Sequence, residues 1–287
     1  MMQINAKAAS PLPRQRRRRP FWYRLIRLAV CVYLGVVALM VFSENALLFH
    51  PSRYPSGNWR PQGLAFEDAW FAAADGTRLH GWYVPCDQPR AVILFSHGNG
   101  GSIADRAGVF RTLHDRMHSS LLAYDYRGYG RSEGVPTEQG ILADARAARK
   151  WLAERAGIAE GRIVMMGESL GGGVAVDLAA ADGARGLVLE NTFSSLPDVA
   201  AAHFPWLPVR LLMRAQLNSA AKIPNYHGPL LQVHGDRDQI VPFVSGKKLF
   251  AAANEPKQFV VVPGGDHNDP RMPAFLQALD DFLGRLP

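Results

Sequence analysis

The chain has 287 residues, 48% hydrophobic and 20% charged, with 27 glycines, 20 prolines and two cysteines. That apolar fraction excludes a mainly disordered chain, and two cysteines exclude a disulfide scaffold or a cysteine-rich zinc module. The net charge of +7 sits at one end: residues 1–43 hold eight basic and no acidic side chains, leaving 24 basic against 25 acidic in residues 44–287, so no basic body for nucleic acid is expected.

In chain order, residues 1–20 form a basic tail around Arg16, Arg17, Arg18 and Arg19. Leu28–Phe42 follows as fifteen uncharged, mostly apolar residues. Counted from Phe21, with Arg24 and Arg27 reaching back to the headgroups, the stretch suffices for the roughly 20 residues that cross a bilayer. Phe21, Trp22 and Tyr23 suit an interfacial aromatic belt. Residues 21–43 are therefore expected to be a single transmembrane anchor. Its basic flank places the N-terminus in the cytoplasm and the rest on the far, periplasmic or extracytoplasmic, side of the cell membrane. A cleaved signal peptide and a buried helix are the alternatives. Against the first, Phe42–Phe49 offers bulky residues where small-x-small is needed; against the second, no polar positions recur at helical spacing. Cys31 lies in the span and Cys86 in the body, so the two are not expected to pair.

Residues 44–65 read as a linker, rich in turn formers over His50–Gly57. Residues 66–287 read as the catalytic domain. Trp70–Ala72 and Leu79–Val84 suit a hairpin around Asp75-Gly76. Ala91–Ser96 is a continuous apolar run, as a strand buried on both faces requires. Similar runs follow at Leu121–Tyr124, Ile163–Met166, Leu187–Leu189, Leu230–Val233 and Phe259–Val262. Amphipathic stretches at Gln139–Ala156, Leu170–Ala181, Phe243–Ala253 and Met272–Leu286 alternate with them. This alternation predicts an α/β fold, a mostly parallel central sheet flanked by helices.

The sharpest chemical signal is Gly167-Glu-Ser169-Leu-Gly171, between the run ending at Met166 and the helix from Leu170. G-x-S-x-G in a strand–turn–helix context describes a nucleophile elbow, with Ser169 thrust into a cleft and the Leu170 N–H aimed at a developing oxyanion. A plain glycine-rich turn with an N-cap serine is the simpler alternative. The base and acid are expected on two further loops. Leu230–Val233 leads into a loop carrying Asp236 and Asp238, and Phe259–Val262 into one carrying His267. The order Ser169, Asp238, His267 suits a nucleophile, an orienting acid and a general base, with Asp236 in reserve as the acid. His97-Gly-Asn99-Gly-Gly101 follows the strand Ala91–Ser96, so the Asn99 N–H is the second candidate oxyanion donor, and His97 reads as structural. No metal-ligand spacing or phosphate-cradling loop occurs.

Together with Asp125–Ser132 and His234-Gly-Asp-Arg-Asp-Gln-Ile-Val-Pro242, these motifs resemble the α/β-hydrolase superfamily. Leu189–Ser195 and Leu48–Tyr54 resemble its membrane-anchored α/β-hydrolase-domain branch. The similarity covers roughly residues 44–285. It implies a serine hydrolase acting through an acyl-enzyme without a cofactor, in a family that includes lysophospholipid and monoacylglycerol lipases and acyl-protein thioesterases. The interval from Asn191 to Pro229 leaves room only for a short cap, apolar over Phe204–Met213, that either meets an acyl chain or the bilayer or packs on the sheet. A carboxylic ester or thioester, small or lipid-like, is the expected substrate and the membrane bilayer the expected partner. A serine aminopeptidase-like peptidase and a non-catalytic scaffold of the same fold are the alternatives.

Overall fold

The computed structural model describes residues 20–287, so the Arg16–Arg19 cluster and the rest of the basic tail lie outside the described residues. The chain divides into two units, one ending at Phe42 and one running from Ser43 to Pro287. The first contains helix α1, Phe21–Phe42, whose 22 residues are long and apolar enough to cross a membrane.

The second unit begins with α2, Glu44–Leu48. Its sheet is built from eight strands: β1 Glu67–Ala72, β2 Arg78–Val84, β3 Ala91–Ser96, β4 Ser119–Tyr124, β5 Val164–Glu168, β6 Gly186–Glu190, β7 Leu230–Gly235 and β8 Lys257–Val262. Their spatial order is β1-β2-β4-β3-β5-β6-β7-β8. Only β1–β2 and β2–β4 are antiparallel. From β4 to β8 every pair is parallel, so the loops after β3, β5, β6, β7 and β8 leave from one edge. This is the α/β-hydrolase fold.

The helices follow from the two-residue period of the strands. All six residues of β3 are buried. Ile93 and Phe95 point to one face, where Phe110 of α3 (Ala107–Asp115) and Leu279 of α10 (Pro273–Arg285) cover them. Val92 and Leu94 point to the other, against Leu152 of α4 (Glu138–Ala156) and Val174 and Leu178 of α5 (Leu170–Asp182). Helix α4 starts where Thr137 accepts the Gly140 N–H and stops at Gly157, whose φ of +66° continues no helix. Between β6 and β7 lies the short cap, with α6 Leu196–His203, α7 Val209–Leu212 and α8 Ser219–Lys222. Helix α9, Phe243–Ala252, precedes β8.

Residues 44–65 depart from the expected linker, because they are packed into the second unit. The buried Glu44 carboxylate accepts the N–H groups of Arg214 (3.0 Å) and Ala215 (2.6 Å) at the end of the cap. Leu64 is buried, and Trp59 packs edge-on against Trp82 at 5.7 Å. The stretch is rich in turn formers, yet its few large apolar side chains find the sheet and fix it there. His50–Pro51 also forms a two-residue parallel ladder with Gly100–Gly101.

Candidate active site

β5 ends at Glu168 and α5 begins at Leu170, which leaves Ser169 alone to make the turn. Its backbone sits at φ +50°, ψ −116°, a region that costs an L-residue on the order of 1–3 kcal/mol. Three hydrogen bonds hold it there: Ser169 N–H to Glu190 O (2.9 Å), Thr192 Oγ1 to Ser169 O (2.7 Å) and Gly172 N–H to Ser169 O (3.0 Å). At about 1 kcal/mol each they match the strain. The flanking glycines are obligatory for packing. A Cβ on Gly167 would lie 2.2 Å from Gly171 O, and one on Gly171 would lie 2.0 Å from Ser96 O.

The loops after β7 and β8 bring Asp238 and His267 together. His267 Nδ1 lies 2.7 Å from Asp238 Oδ2. Asp238 Oδ1 accepts the N–H groups of Ile240 (2.9 Å) and Val241 (2.7 Å). Buried His234 places Nε2 3.3 Å from Asp238 Oδ2 and 3.0 Å from Val241 O, so that nitrogen carries the proton. Burial alone would raise the Asp238 carboxyl, but the hydrogen bonds from His234 and His267 outweigh it and hold the group well below the usual carboxylate range. Asp236 is engaged elsewhere: its Oδ1 accepts the Gly264 N–H at 2.6 Å, tying the two loops to each other.

Ser169, His267 and Asn99 line one cleft of about 530 Å³. The Asn99 backbone is fixed through its carbonyl, which accepts from His50 N–H (3.1 Å) and the Tyr129 hydroxyl (2.8 Å). Its side chain donates to Leu48 O at 2.9 Å. Leu170 is the first residue of α5, where an N–H has no intrahelical acceptor. His97 is fully buried, its Nδ1 2.7 Å from Gly98 O and its ring 4.5 Å from that of Tyr126.

Sequence reasoning passed over several residues at this cleft. Arg106 hydrogen-bonds Glu168, the residue before the serine. Arg271 Nη2 reaches Glu168 Oε2 (3.3 Å) and Glu190 Oε2 (2.6 Å). Burial would raise Glu168, but Arg106 and Arg271 bring its pKa down to about 2. Asn191 donates to His267 O (2.9 Å) and accepts from Gly235 N–H (3.1 Å). Glu168 lay inside the elbow motif and Glu190 and Asn191 inside Leu189–Ser195, without a role for any of them, and Arg106 and Arg271 lay in no motif; the partners are 44–103 positions away in sequence. The cap contributes nothing to the cleft, since no residue of 192–229 lines it, and among the described residues Val109 and Ile240 are its only aliphatic ones. Instead Phe204, Trp206 and Leu211 of the cap are exposed to the surroundings.

Comparison with known proteins agrees with this architecture. A family model described as serine aminopeptidase, S33, matches residues 87–221. An uncharacterized Mycobacterium tuberculosis protein is 40% identical over 264 residues, covering 90% of this chain and 94% of that one. The α/β-hydrolase domain-containing protein WAV2 of Arabidopsis thaliana is 35% identical over 266 residues, 83% and 85% of the two chains. A Pyrococcus furiosus esterase structure superposes with a TM-score of 0.69 at 22% identity, covering 83% of this chain and 99% of its own. The chain belongs to the α/β-hydrolase family. Within it, the chain is a hydrolase of the serine-hydrolase type.

Proposed function

We propose that the protein is a membrane-tethered serine hydrolase that cleaves carboxylic esters or thioesters through an acyl-enzyme. The observation that carries this reading is the 2.7 Å Asp238–His267 contact in a cleft that also holds Ser169 on its strained turn. His267 Nε2 takes the Ser169 proton as Oγ attacks the acyl carbon, and Asp238 stabilises the imidazolium. The Asn99 and Leu170 N–H groups take the developing oxyanion. His267 then gives its proton to the departing alkoxide or thiolate, and water releases the acid by the reverse sequence. No cofactor takes part in these steps.

The polar lining favours substrates with a polar portion next to the scissile bond over bare hydrocarbon. The description of the matched family favours a second reading, a serine aminopeptidase-like peptidase. The charge of the cleft does not oppose it, because Arg106 and Arg271 are paired with Glu168 and Glu190 and the lining also carries Asp105 and Asp269. Helix α1 supports single-pass anchoring, with the Arg16–Arg19 side in the cytoplasm and the catalytic unit beyond the membrane.

A fluorophosphonate probe tests the chemistry. It should label the wild-type chain at Ser169 and leave Ser169→Ala unlabelled; a wild-type chain that takes no label would make this fold a scaffold. Alkaline carbonate tests the anchor: the full chain should stay with membranes, and extraction would replace the span with a peripheral attachment.

A further inference from the structure

Beside the candidate triad lies a charged cluster that the chemistry above does not use. A partly buried ion-pair network is weak evidence for stability, since well-packed apolar residues serve as well or better. What this one does shows in where its atoms end. Arg106 bonds the Glu168 carboxylate through Nε and spreads its other two nitrogens over the loop that carries Asn99, with Nη1 on Ser102 O (2.8 Å) and Nη2 on Gly100 O (2.9 Å). The same carboxylate takes the Gly98 N–H at 3.2 Å. Gly98 sits so near the elbow that an added Cβ would lie 3.5 Å from the Ser169 Cβ. On its other oxygen Glu168 meets Arg271, four residues past His267, which is clamped in turn to Glu190 at the end of β6. One carboxylate, adjacent in sequence to the nucleophile, therefore gathers the loop of the candidate oxyanion donor and the loop of the candidate base.

We propose that Glu168 is a positioning residue, which through Arg106 and Arg271 fixes the 98–102 loop and the histidine loop against the serine. The inference rests on the serine-hydrolase reading. Its physical content is preorganisation. Oxyanion donors count only if they stand still where the charge develops, and a shift of about 1 Å costs on the order of 10²-fold in rate. With its pKa near 2, Glu168 stays ionised through the working range of such an enzyme. The arginine end of the pair is specific too. Only a planar guanidinium reaches a carboxylate and two carbonyls at once, whereas a lysine ammonium keeps the charge and loses the fork.

The test measures ester hydrolysis and the affinity of a boronic acid, whose tetrahedral serine adduct occupies the oxyanion site. Glu168→Gln should lower kcat about 10²-fold, leave KM within about threefold, and weaken the boronate in proportion to kcat. Arg106→Lys should lose nearly as much as Arg106→Gln. The double variant Arg106→Gln/Glu168→Gln, which removes both charges of the pair together, should lose no more than either single variant. A raised KM with kcat intact would make Glu168 a substrate contact and overturn the proposal. So would rescue by Arg106→Lys, or losses that multiply in the double variant. A wild type that neither hydrolyses esters nor reacts with fluorophosphonate refutes the hydrolase reading instead, and the proposal with it.

Discussion

Replacing Asp238 by asparagine changes one atom at the centre of the candidate triad, and the surroundings dictate which one. Oδ1 accepts two backbone N–H groups, from Ile240 and Val241. If the new amide keeps its oxygen there, its NH2 faces His267 Nδ1, which must then be the unprotonated nitrogen. The ring's proton moves to Nε2, and the base can no longer take the Ser169 proton. If the amide flips, the NH2 opposes two backbone donors and leaves them unsatisfied at about 1–3 kcal/mol each. Together that is roughly 2–6 kcal/mol, or about 30-fold to 10⁴-fold depopulation of the competent orientation. Even that orientation lacks the negative charge that stabilises the imidazolium, so the combined loss should approach 10³–10⁴-fold in kcat. The assay is steady-state hydrolysis of a chromogenic short-chain ester, with circular dichroism to confirm folding. Asp236→Asn is the control, expected within about threefold of wild type, because its carboxylate serves Gly264. Asp238→Asn within tenfold of wild type would falsify the assignment.

Three further outcomes follow from the same geometry. Ser169→Gly should abolish hydrolysis yet raise the melting temperature by several degrees, because glycine adopts φ +50° without about 1–2 kcal/mol of strain; an unchanged or lower Tm refutes the strain. Because the folded state holds the Asp238 carboxyl below its ordinary value, its stabilising contribution is complete above about pH 4 and is lost as the pH falls toward the folded-state pKa. Urea midpoints should therefore drop below pH 4, and less steeply in Asp238→Asn; parallel curves for the two proteins would contradict this. Removing residues 1–42 should leave a stable unit, whereas Glu44→Ala should cost it about 2–3 kcal/mol in urea unfolding, since two backbone donors at the cap lose their acceptor; a change under about 0.5 kcal/mol would count against the anchoring role of Glu44.

The sequence displayed what is local. The apolar runs that became β3 to β7 are short because both faces of a parallel strand are buried, and that composition is visible without coordinates. The elbow was legible because its glycines sit at fixed spacing around Ser169, each required by a neighbour about 2 Å from a would-be Cβ. Asp238 and His267 were legible as loop residues after strands, and their contact is a consequence of two adjacent parallel strands, β7 and β8. Arg106 and Arg271 looked like any other surface cations, since nothing in a linear chain marks a guanidinium whose partner is 62 or 103 residues away. Residues 44–65 misled for the opposite reason. Proline and glycine punctuate a chain equally in a free linker and in a strap pinned to a sheet, and only the contacts of Trp59, Leu64 and Glu44 tell the two apart.

The ladder between His50–Pro51 and Gly100–Gly101 bears on how this molecule can be taken apart. The stretch matched by the family model starts at residue 87, so it includes Asn99 but none of the chain that holds Asn99 from the outside. A graft of residues 87–221 into another family member would carry the loop without its brace. In modular terms, the smallest transferable unit that keeps the candidate site braced begins at Ser43 and includes α2 and the strap after it.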